Sequence, residues 1–320
     1  MDYRPKKFEL PNDGIHIKGD DLDHPPYVFT DKVAIAVDVA LATGRPLLVS
    51  GPPGSGKSSL APVMATRLGW RYLHEIFTSR TRLEDLTGDL DQLRRLSDAQ
   101  LRDEKNPLPE RWAYLEPGVL WWAFDRAGAV LRGRSQREVD KLKQQVGENY
   151  HHPQDPSTNT DVDHVVILLD EIDKADPDLP NDLLEPLDRK RFDVPQGPPV
   201  QAKPKQQVLV ILTTNEEREL PPAFLRRCIS LRLTDPDRAQ LLHIAHHHYP
   251  RGQKKLHSDV ADKLIEQRTA AREQDLRPPS TSEYLDAIEA CRKLKIQPGS
   301  DQWALLAQAT FVKEDNERGG

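Results

Sequence analysis

A glycine-rich segment at residues 51–58, with the sequence GPPGSGKS, contains the residue types needed to bind the phosphates of a nucleotide. Gly51 and Gly56 carry no side chain that would keep the backbone away from a phosphate group. Their spacing from Lys57 predicts that its ammonium reaches the β- and γ-phosphates, and the Ser58 hydroxyl is a ligand for Mg²⁺. The segment therefore predicts a site for ATP and Mg²⁺, with an ordinary glycine-rich turn as the alternative. The predicted nucleotide-binding residues are Gly51, Pro52, Pro53, Gly54, Ser55, Gly56, Lys57, Ser58 and Ser59.

Two adjacent carboxylates, Asp170 and Glu171, follow an apolar run at residues 165–169. Such a run of β-prone residues predicts a strand that is buried on both faces of a parallel sheet. Side chains at the carboxyl end of this kind of strand face the crevice in which α/β sheets bind ligands. Asp170 is therefore expected to hold Mg²⁺ with Ser58, largely through water, and Glu171 to act as the general base for an attacking water. A solvated strand end is the alternative.

A second apolar run, at residues 208–212, ends in Thr213, Thr214 and Asn215. It predicts another buried strand, whose carboxyl end should lie beside that of the strand at 165–169. From there Asn215 can orient the attacking water, which makes it a candidate catalytic residue. An unspecialised polar residue at a strand end is the alternative for Asn215.

The elements that must position these residues alternate between strands and helices up to about residue 235. A helix capped by Thr30 or Asp31 leads into a strand at 47–49, and Lys57 and Ser58 are expected to begin the next helix. After residue 235 the pattern changes to helices alone. The predicted fold is an α/β parallel sheet flanked by helices and followed by a smaller all-α domain. The expected division is an N-terminal arm at 1–25, a nucleotide-binding domain at 26–235 and a helical lid domain at 236–320.

Three other segments carry specific expectations. Residues 91–110 are polar and proline-containing, which predicts a surface excursion. Residues 119–131 predict one strongly apolar helix, whose tryptophans are expected to pack in the core and at a domain or subunit contact. A role in gripping a substrate is the alternative for these aromatic residues. Residues 133–163 predict a charged helix and then a flexible loop, and residues 193–207 predict a hairpin with a proline-rich tip.

The composition fits a soluble globular protein, because 37% of the 320 residues are apolar and 30% are charged. No apolar run approaches the roughly 18 residues of a membrane span, and the N-terminus has no hydrophobic signal region. A cytoplasmic location without membrane contact is therefore expected. The net charge of −6 disfavours nucleic acid as a general partner. Cys228 and Cys291 are too few to form a zinc site or a disulfide framework by themselves.

Four segments resemble the functional motifs of AAA+ ATPases. GPPGSGKS at 51, VVILLDEID at 165, ILTTN at 211 and LPPAFLRRC at 220 are similar to the Walker A, Walker B, sensor 1 and arginine-finger regions. Three further strings, YLEPGVLWWAF at 114, DEIDKA at 170 and PSTSEYLDAI at 279, resemble the MoxR and dynein-related (AAA_5) branch of that superfamily. The resemblance covers roughly residues 26–295.

The resemblance implies a ring-forming ATPase, usually a hexamer, with ATP bound at subunit boundaries. Arg227 falls where this branch has its arginine finger, and Arg226 is the second candidate for that catalytic role. An interface or surface salt bridge is the alternative for this arginine pair. The segments 91–110 and 193–207 would resemble loops that project toward the central pore of the ring. The implied partners are a protein with a von Willebrand A domain or another client protein.

The sequence departs from this branch at the start of the lid helix. Many MoxR-like proteins have a sensor 2 arginine there, whereas this chain has Ser280, Thr281, Ser282 and Glu283, with Arg277 as the nearest basic residue. The predicted function is an ATP-driven remodeller of a partner protein. The alternatives are a nucleotide-switched assembly module and an ATPase component of a defence or nucleic-acid-processing complex.

Overall fold

The computed structural model describes residues 3–10, 27–101, 108–141, 163–194 and 197–312. Most of the predicted N-terminal arm, the end of the excursion at 102–107, the predicted flexible loop at 142–162 and the hairpin tip at 195–196 lie outside these residues. The fold is therefore described from the remaining segments.

A five-stranded sheet forms the centre of the α/β part, and every pair of neighbouring strands in it is parallel. Their carboxyl ends therefore meet at a single edge of the sheet. Buried apolar side chains fill five of the six positions in Val165–Asp170, as the sequence pattern predicts. In Val208–Thr214 every residue before the two threonines is likewise apolar and buried. In spatial order the strands are β2 (Arg71–Ile76), β5 (Val165–Asp170), β8 (Val208–Thr214), β1 (Leu47–Ser50) and β9 (Ile229–Arg232).

Two short antiparallel ribbons lie outside this sheet. One pairs β3 (Gly88–Leu90) with β4 (Leu115–Pro117), and the other pairs β6 (Arg191–Phe192) with β7 (Val200–Gln201). The second pairing agrees with the hairpin that the sequence predicts.

Helices flank the sheet on both faces. The first of them begins after Thr30, whose side chain accepts a hydrogen bond from the backbone N–H of Val33, and ends at Gly44 in the left-handed conformation. The helices of this part are α1 (Asp31–Thr43), α2 (Leu60–Leu68), α3 (Leu83–Thr87), α4 (Gln92–Leu101), α5 (Val119–Phe124), α6 (Arg126–Val130), α7 (Gln136–Lys141), α8 (Leu179–Asp182), α9 (Leu184–Arg189) and α10 (Pro222–Leu225).

Three predicted elements differ in the structure. α2 begins at Leu60 rather than at Lys57, because residues 57–59 continue the turns of the glycine-rich loop. The single helix expected at 119–131 is divided at Asp125, whose carboxylate accepts a hydrogen bond from the Gly128 backbone at 3.0 Å and so caps a new helix. The polar excursion contains an exposed helix, α4, because its residues favour helix and few of them compete as turn formers.

The hydrophobic core lies on both faces of the sheet. α1 and α2 pack on one face, and α5 packs on the other. Trp121 and Trp122 are fully buried on that second face and Phe124 is 1% exposed, so these aromatic residues belong to the core of the chain. The sheet is thus held rigidly between two layers.

The C-terminal part consists of helices that surround a separate core. Buried Arg268 of this part holds the residues that precede two of its helices, since its Nε donates to the carbonyl of Pro279 at 2.8 Å and its Nη1 to that of Pro236 at 3.0 Å. Among the described residues, no helix combines the length and the apolar character needed to span a membrane. The helices of this part are α11 (Arg238–His248), α12 (Lys254–Glu273), α13 (Thr281–Leu294) and α14 (Asp301–Phe311).

Candidate functional site

The loop at residues 51–59 joins the carboxyl end of β1 to α2 and depends on glycine for its shape. Gly51 has φ +144°, and a Cβ atom there would lie 2.5 Å from the carbonyl oxygen of Leu233. Gly54 has φ +72°, and a Cβ atom there would lie 2.6 Å from Ser280 Oγ and 3.0 Å from Ser282 Oγ. Both positions thus exclude side chains, for conformational as well as steric reasons.

Lys57 points back into this loop and is only 6% exposed. Its Nζ donates to the carbonyl oxygens of Gly51 at 2.8 Å and Pro52 at 2.9 Å. Burial lowers the pKa of Lys57, and nearby carboxylates, first among them that of Asp170, act in the opposite direction. An ammonium group is consequently held inside a loop that offers little water to solvate it.

Asp170, the last residue of β5, is joined to the glycine-rich loop through Ser58. Ser58 Oγ donates to Asp170 Oδ1 at 2.8 Å. Thr213 Oγ1, on the neighbouring strand β8, donates to the same carboxylate oxygen, and it also accepts a hydrogen bond from the Glu171 backbone N–H at 2.9 Å. Thr213 is fully buried, so it fixes Asp170 and Glu171 relative to each other.

Glu171 has a left-handed backbone, with φ +60°, directly after the strand. A non-glycine residue in this region is strained, and the strain turns its side chain toward the end of β8. There Glu171 Oε1 lies 3.3 Å from Asn215 Nδ2, while Oε2 is 2.9 Å from Lys174 Nζ. The hydrogen bond with Glu171 raises the pKa of Lys174. The carboxylate is thus shared between an amide and an ammonium group.

Asp173 holds the segment that carries Asn215. It is 4% exposed, and its Oδ2 accepts hydrogen bonds from the backbone N–H groups of Asn215 and Glu217, each at 3.1 Å. Sequence analysis did not assign a role to Asp173 or to Thr213. The signals were present, because Thr213 is a hydroxyl residue at the end of an apolar run and Asp173 is a third carboxylate close after Asp170.

The residues at this edge of the sheet have the chemistry that a nucleotide with Mg²⁺ requires. Ser58 and Asp170 offer hard oxygen ligands, which Mg²⁺ prefers. The buried Oγ of Ser55 has no hydrogen-bond partner among the described residues, so a donor within the loop is free for a phosphate oxygen. No group of three or more His, Cys, Asp or Glu residues forms a metal cage in the described segments.

Arg226 and Arg227 are not brought to this edge. They precede β9, whose first residue, Ile229, pairs with Leu47 at the start of β1. The phosphate-binding loop follows the other end of β1, and a four-residue strand separates the two by about 13 Å. These arginines therefore lie at the amino-terminal edge of the sheet, opposite the loop of their own chain.

The two arginines also differ from each other. Arg227 Nε lies 2.5 Å from Asp188 Oδ2, and its Nη1 donates to the carbonyl of Ala223 at 3.2 Å. The side chain of Arg226 is exposed and makes no hydrogen bond or ion pair with any described residue. Among the described residues, the side chain of Arg227 is therefore held in place by Asp188 and Ala223, whereas that of Arg226 has no partner.

The start of α13 touches the tip of the phosphate-binding loop at Gly54 through Ser280 and Ser282. Ser280 caps this helix, and the carboxylate of Glu283 accepts a hydrogen bond from the Ser280 backbone N–H at 2.6 Å. Arg277 Nη2 lies 3.4 Å from Glu283 Oε1, so its guanidinium is directed at the capping carboxylate. Hydroxyl groups, rather than a guanidinium, therefore border the loop here.

This contact gives a first prediction. Replacing Gly54 with alanine is expected to weaken nucleotide affinity by about 10-fold or more, because the methyl group would force the loop and α13 apart. Gly69→Ala is the matched control, since Gly69 also has a positive φ, +65°, but a Cβ atom there meets nothing within 4 Å. Titration with a fluorescent nucleotide, together with thermal unfolding, measures both variants. Equal affinity losses in the two would contradict this role of the contact.

Comparison with known proteins defines the class of this chain. Residues 46–228 match the AAA domain (dynein-related subfamily), which is more than half of the 320 residues. The chain belongs to this family, and its parallel sheet with the phosphate-binding loop and the helical C-terminal region is the AAA+ fold predicted from the sequence. No curated protein matches the chain. Among solved structures, a mutant of RuvB from Thermogota maritima is similar at 12% identity and a TM-score of 0.42, over 87% of this chain and 67% of that one.

Proposed function

We propose that this chain binds ATP with Mg²⁺ and hydrolyses it, as a ring-forming ATPase of the MoxR type that remodels a partner protein. The observation that carries the proposal is the convergence at the carboxyl ends of β1, β5 and β8. There the Ser58–Asp170 hydrogen bond and the Glu171–Asn215 contact lie at one edge of the sheet with the buried ammonium of Lys57. Membership of the AAA domain family supports a nucleotide-driven motor of this kind.

Each chemical requirement of hydrolysis has a residue in this arrangement. Lys57 and the loop N–H groups bind the phosphates. Ser58 and Asp170 would hold Mg²⁺, largely through water, and the bound ion would supply positive charge beside the phosphate oxygens. Asn215 orients a water molecule, and Glu171 accepts its proton as the water oxygen attacks the γ-phosphorus. The bond between that phosphorus and the bridging oxygen of the β-phosphate breaks, which leaves ADP and phosphate.

The place of Arg226 and Arg227 supports ATP sites at subunit boundaries. These arginines lie at the far end of β1 from the loop of their own chain, so they serve a site only if that site belongs to a neighbour. A guanidinium contributed in this way stabilises the charge of the transition state and is worth about 10³ to 10⁵ in rate. The proposed assembly is a closed ring, with a hexamer as its expected size.

The proposed partner is a protein, either one with a von Willebrand A domain or another client. The net charge of −6 disfavours DNA or RNA in that role. Movement of the C-terminal helices against the loop at Gly54 would transmit the state of the nucleotide to that partner.

A second function, a nucleotide-controlled assembly switch with little turnover, is favoured by one contact. Lys174 Nζ holds Glu171 Oε2 at 2.9 Å, so the proposed base is not free in this structure. A ring that forms with ATP and keeps that ATP unhydrolysed for as long as it stays assembled would support this function over the motor.

Mixed assemblies test the proposal. Arg227→Ala alone is expected to lose about 10³-fold or more in turnover, and mixing it with Glu171→Gln should restore phosphate release, because some boundaries then combine an intact Glu171 with an intact Arg227. Arg226→Ala is measured in the same way to assign the two arginines. Lys57→Ala mixed with Glu171→Gln is the negative control, since both variants damage the same half of the site. If no mixing ratio of the first pair restores turnover, an arginine acting between subunits is ruled out.

A further inference from the structure

The side chain of Arg45 binds the backbone of Arg226 and Arg227. Arg45 lies between Gly44, which ends α1, and Pro46, which precedes β1. Its Nε donates to the carbonyl oxygen of Arg227 at 3.1 Å, and its Nη2 donates to those of Arg226 and Cys228, the latter at 3.3 Å. A single guanidinium therefore binds consecutive carbonyls that are more than 180 residues away in the chain.

The backbone held by Arg45 has little regular structure of its own. It lies between the four-residue helix α10 and the first residue of β9, and it is anchored on the β9 side by the Ile229 N–H, which donates to the carbonyl of Pro46 at 2.8 Å. The rigid, planar set of donors in a guanidinium suits such converging carbonyls, whereas a lysine ammonium is a compact charge without a fixed plane. Arg45 thus fixes the main chain of the pair and leaves the side chains directed outward.

The side chains of Arg226 and Arg227 differ in whether another residue of the chain holds them. Arg226 is exposed and has no partner among the described residues, while Arg227 is held by Asp188. A guanidinium that acts on a neighbouring subunit must be placed to within about 1 Å, because a displacement of that size can cost about 100-fold in rate. Among the described residues, no side chain other than that of Arg45 binds the backbone carbonyls of Arg226 and Arg227.

We propose that Arg45 is a positioning residue for ATP hydrolysis in the neighbouring subunit, where it acts by fixing the backbone of Arg226 and Arg227. This inference rests on the proposed function, since it requires those arginines to serve a site across the subunit boundary. It assigns a role to a residue that lies outside the Walker, sensor and arginine-finger segments of the chain. This role acts through the arginine pair and requires no contact between Arg45 and the nucleotide.

Phosphate release by the full-length protein tests this role. Arg45→Ala is expected to lower the maximal rate by about 10- to 100-fold with the KM for ATP and the nucleotide affinity unchanged, because its own loop and carboxylates are intact. Arg189→Ala is the matched control. Arg189 is an exposed arginine next to Asp188, and its one ion pair among the described residues is with Glu185 at 3.1 Å. Its loss removes the same charge as Arg45→Ala without removing a contact of the arginine pair.

Mixed assemblies distinguish positioning from a general structural defect. Arg45→Ala mixed with Glu171→Gln should regain turnover, because the Glu171→Gln subunits supply well-placed arginines to the intact sites of Arg45→Ala subunits. Arg45→Ala mixed with Arg227→Ala should regain none, since both variants are defective in the same half of the boundary. Should Arg45→Ala fail to fold, Arg45→Lys takes its place in both mixtures, with the same pattern expected.

Two results would overturn the inference. One is full turnover by Arg45→Ala alone while Arg227→Ala is inactive, which leaves the proposed function intact. The other is a loss of turnover that the mixture with Arg227→Ala restores and the mixture with Glu171→Gln does not, since that places the defect in the subunit's own site. Full turnover by an Arg226→Ala/Arg227→Ala double variant would instead refute the arginines' action across the boundary, and the inference would fall with it.

Discussion

Glu171→Gln is expected to lower the rate of ATP hydrolysis by about 100-fold or more while ATP binding persists. The amide has the same size and keeps an oxygen for the contact with Asn215 Nδ2, now 3.3 Å from Glu171 Oε1, but it cannot accept a proton from water. Loss of the ion pair with Lys174 should cost less than about 1 kcal/mol of stability, because both side chains are partly exposed. Bound ATP should accumulate and hold the subunits together as an assembled ring.

Phosphate release at saturating ATP, equilibrium nucleotide binding and the oligomeric state measure these three effects. Glu289→Gln is the matched control, because Glu289 lies on α13 and forms ion pairs with the surface residues Arg292 and Lys293. Hydrolysis by Glu171→Gln at the parental rate would show that Glu171 is not the base. The mechanism would then need another acceptor for the proton.

Lys57→Ala is expected to abolish measurable ATP binding, and with it all turnover. Removal of the ammonium eliminates the charge-assisted hydrogen bonds to phosphate, each worth about 1.5–3 kcal/mol, and also leaves the carbonyls of Gly51 and Pro52 without their donor. Two such losses correspond to a weakening of roughly 10²-fold to 10⁴-fold.

Titration of the variant with labelled ATP and Mg²⁺ measures this loss. Lys263→Ala is the control, since Lys263 lies on α12 and pairs only with Glu266 at 2.8 Å. A Lys57→Ala dissociation constant within a few-fold of that of the parent protein would remove Lys57 from the binding site. Thermal unfolding without nucleotide verifies that both variants are folded.

Much of the fold follows from the sequence, because the buried strands of a parallel sheet are short runs of β-prone apolar residues that end in polar ones. The runs at 165–169 and 208–212 are β5 and β8 of the structure. These strands pair directly, which is why the residues after them, Glu171 and Asn215, come within 3.3 Å of each other. The order in which the strands pair is a property of the whole sheet. The sequence could therefore predict that Glu171 and Asn215 lie near each other, but not the distance between them.

The contacts that hold the site residues in place could not be predicted from the sequence, and the reasons are physical. Thr213 binds Asp170 because β5 and β8 have a particular register, and register is set by packing across the sheet rather than by either run alone. Arg45 contacts carbonyls more than 180 residues away, and no local pattern marks that pairing. The break at Asp125 depends on a side-chain cap that competes with an otherwise continuous apolar helix pattern.

The short strand β1 has a consequence for the symmetry of any assembly. Its two ends carry different halves of the proposed site, the glycine-rich loop at one and the arginine pair at the other. Two chains related by a two-fold axis would bring like ends together, and at least one half of each site would lack its complement. Contacts that join unlike ends are head-to-tail, so every added chain exposes a new free end until the last meets the first. The assembly then has a direction, and each chain receives from one neighbour what it supplies to the other.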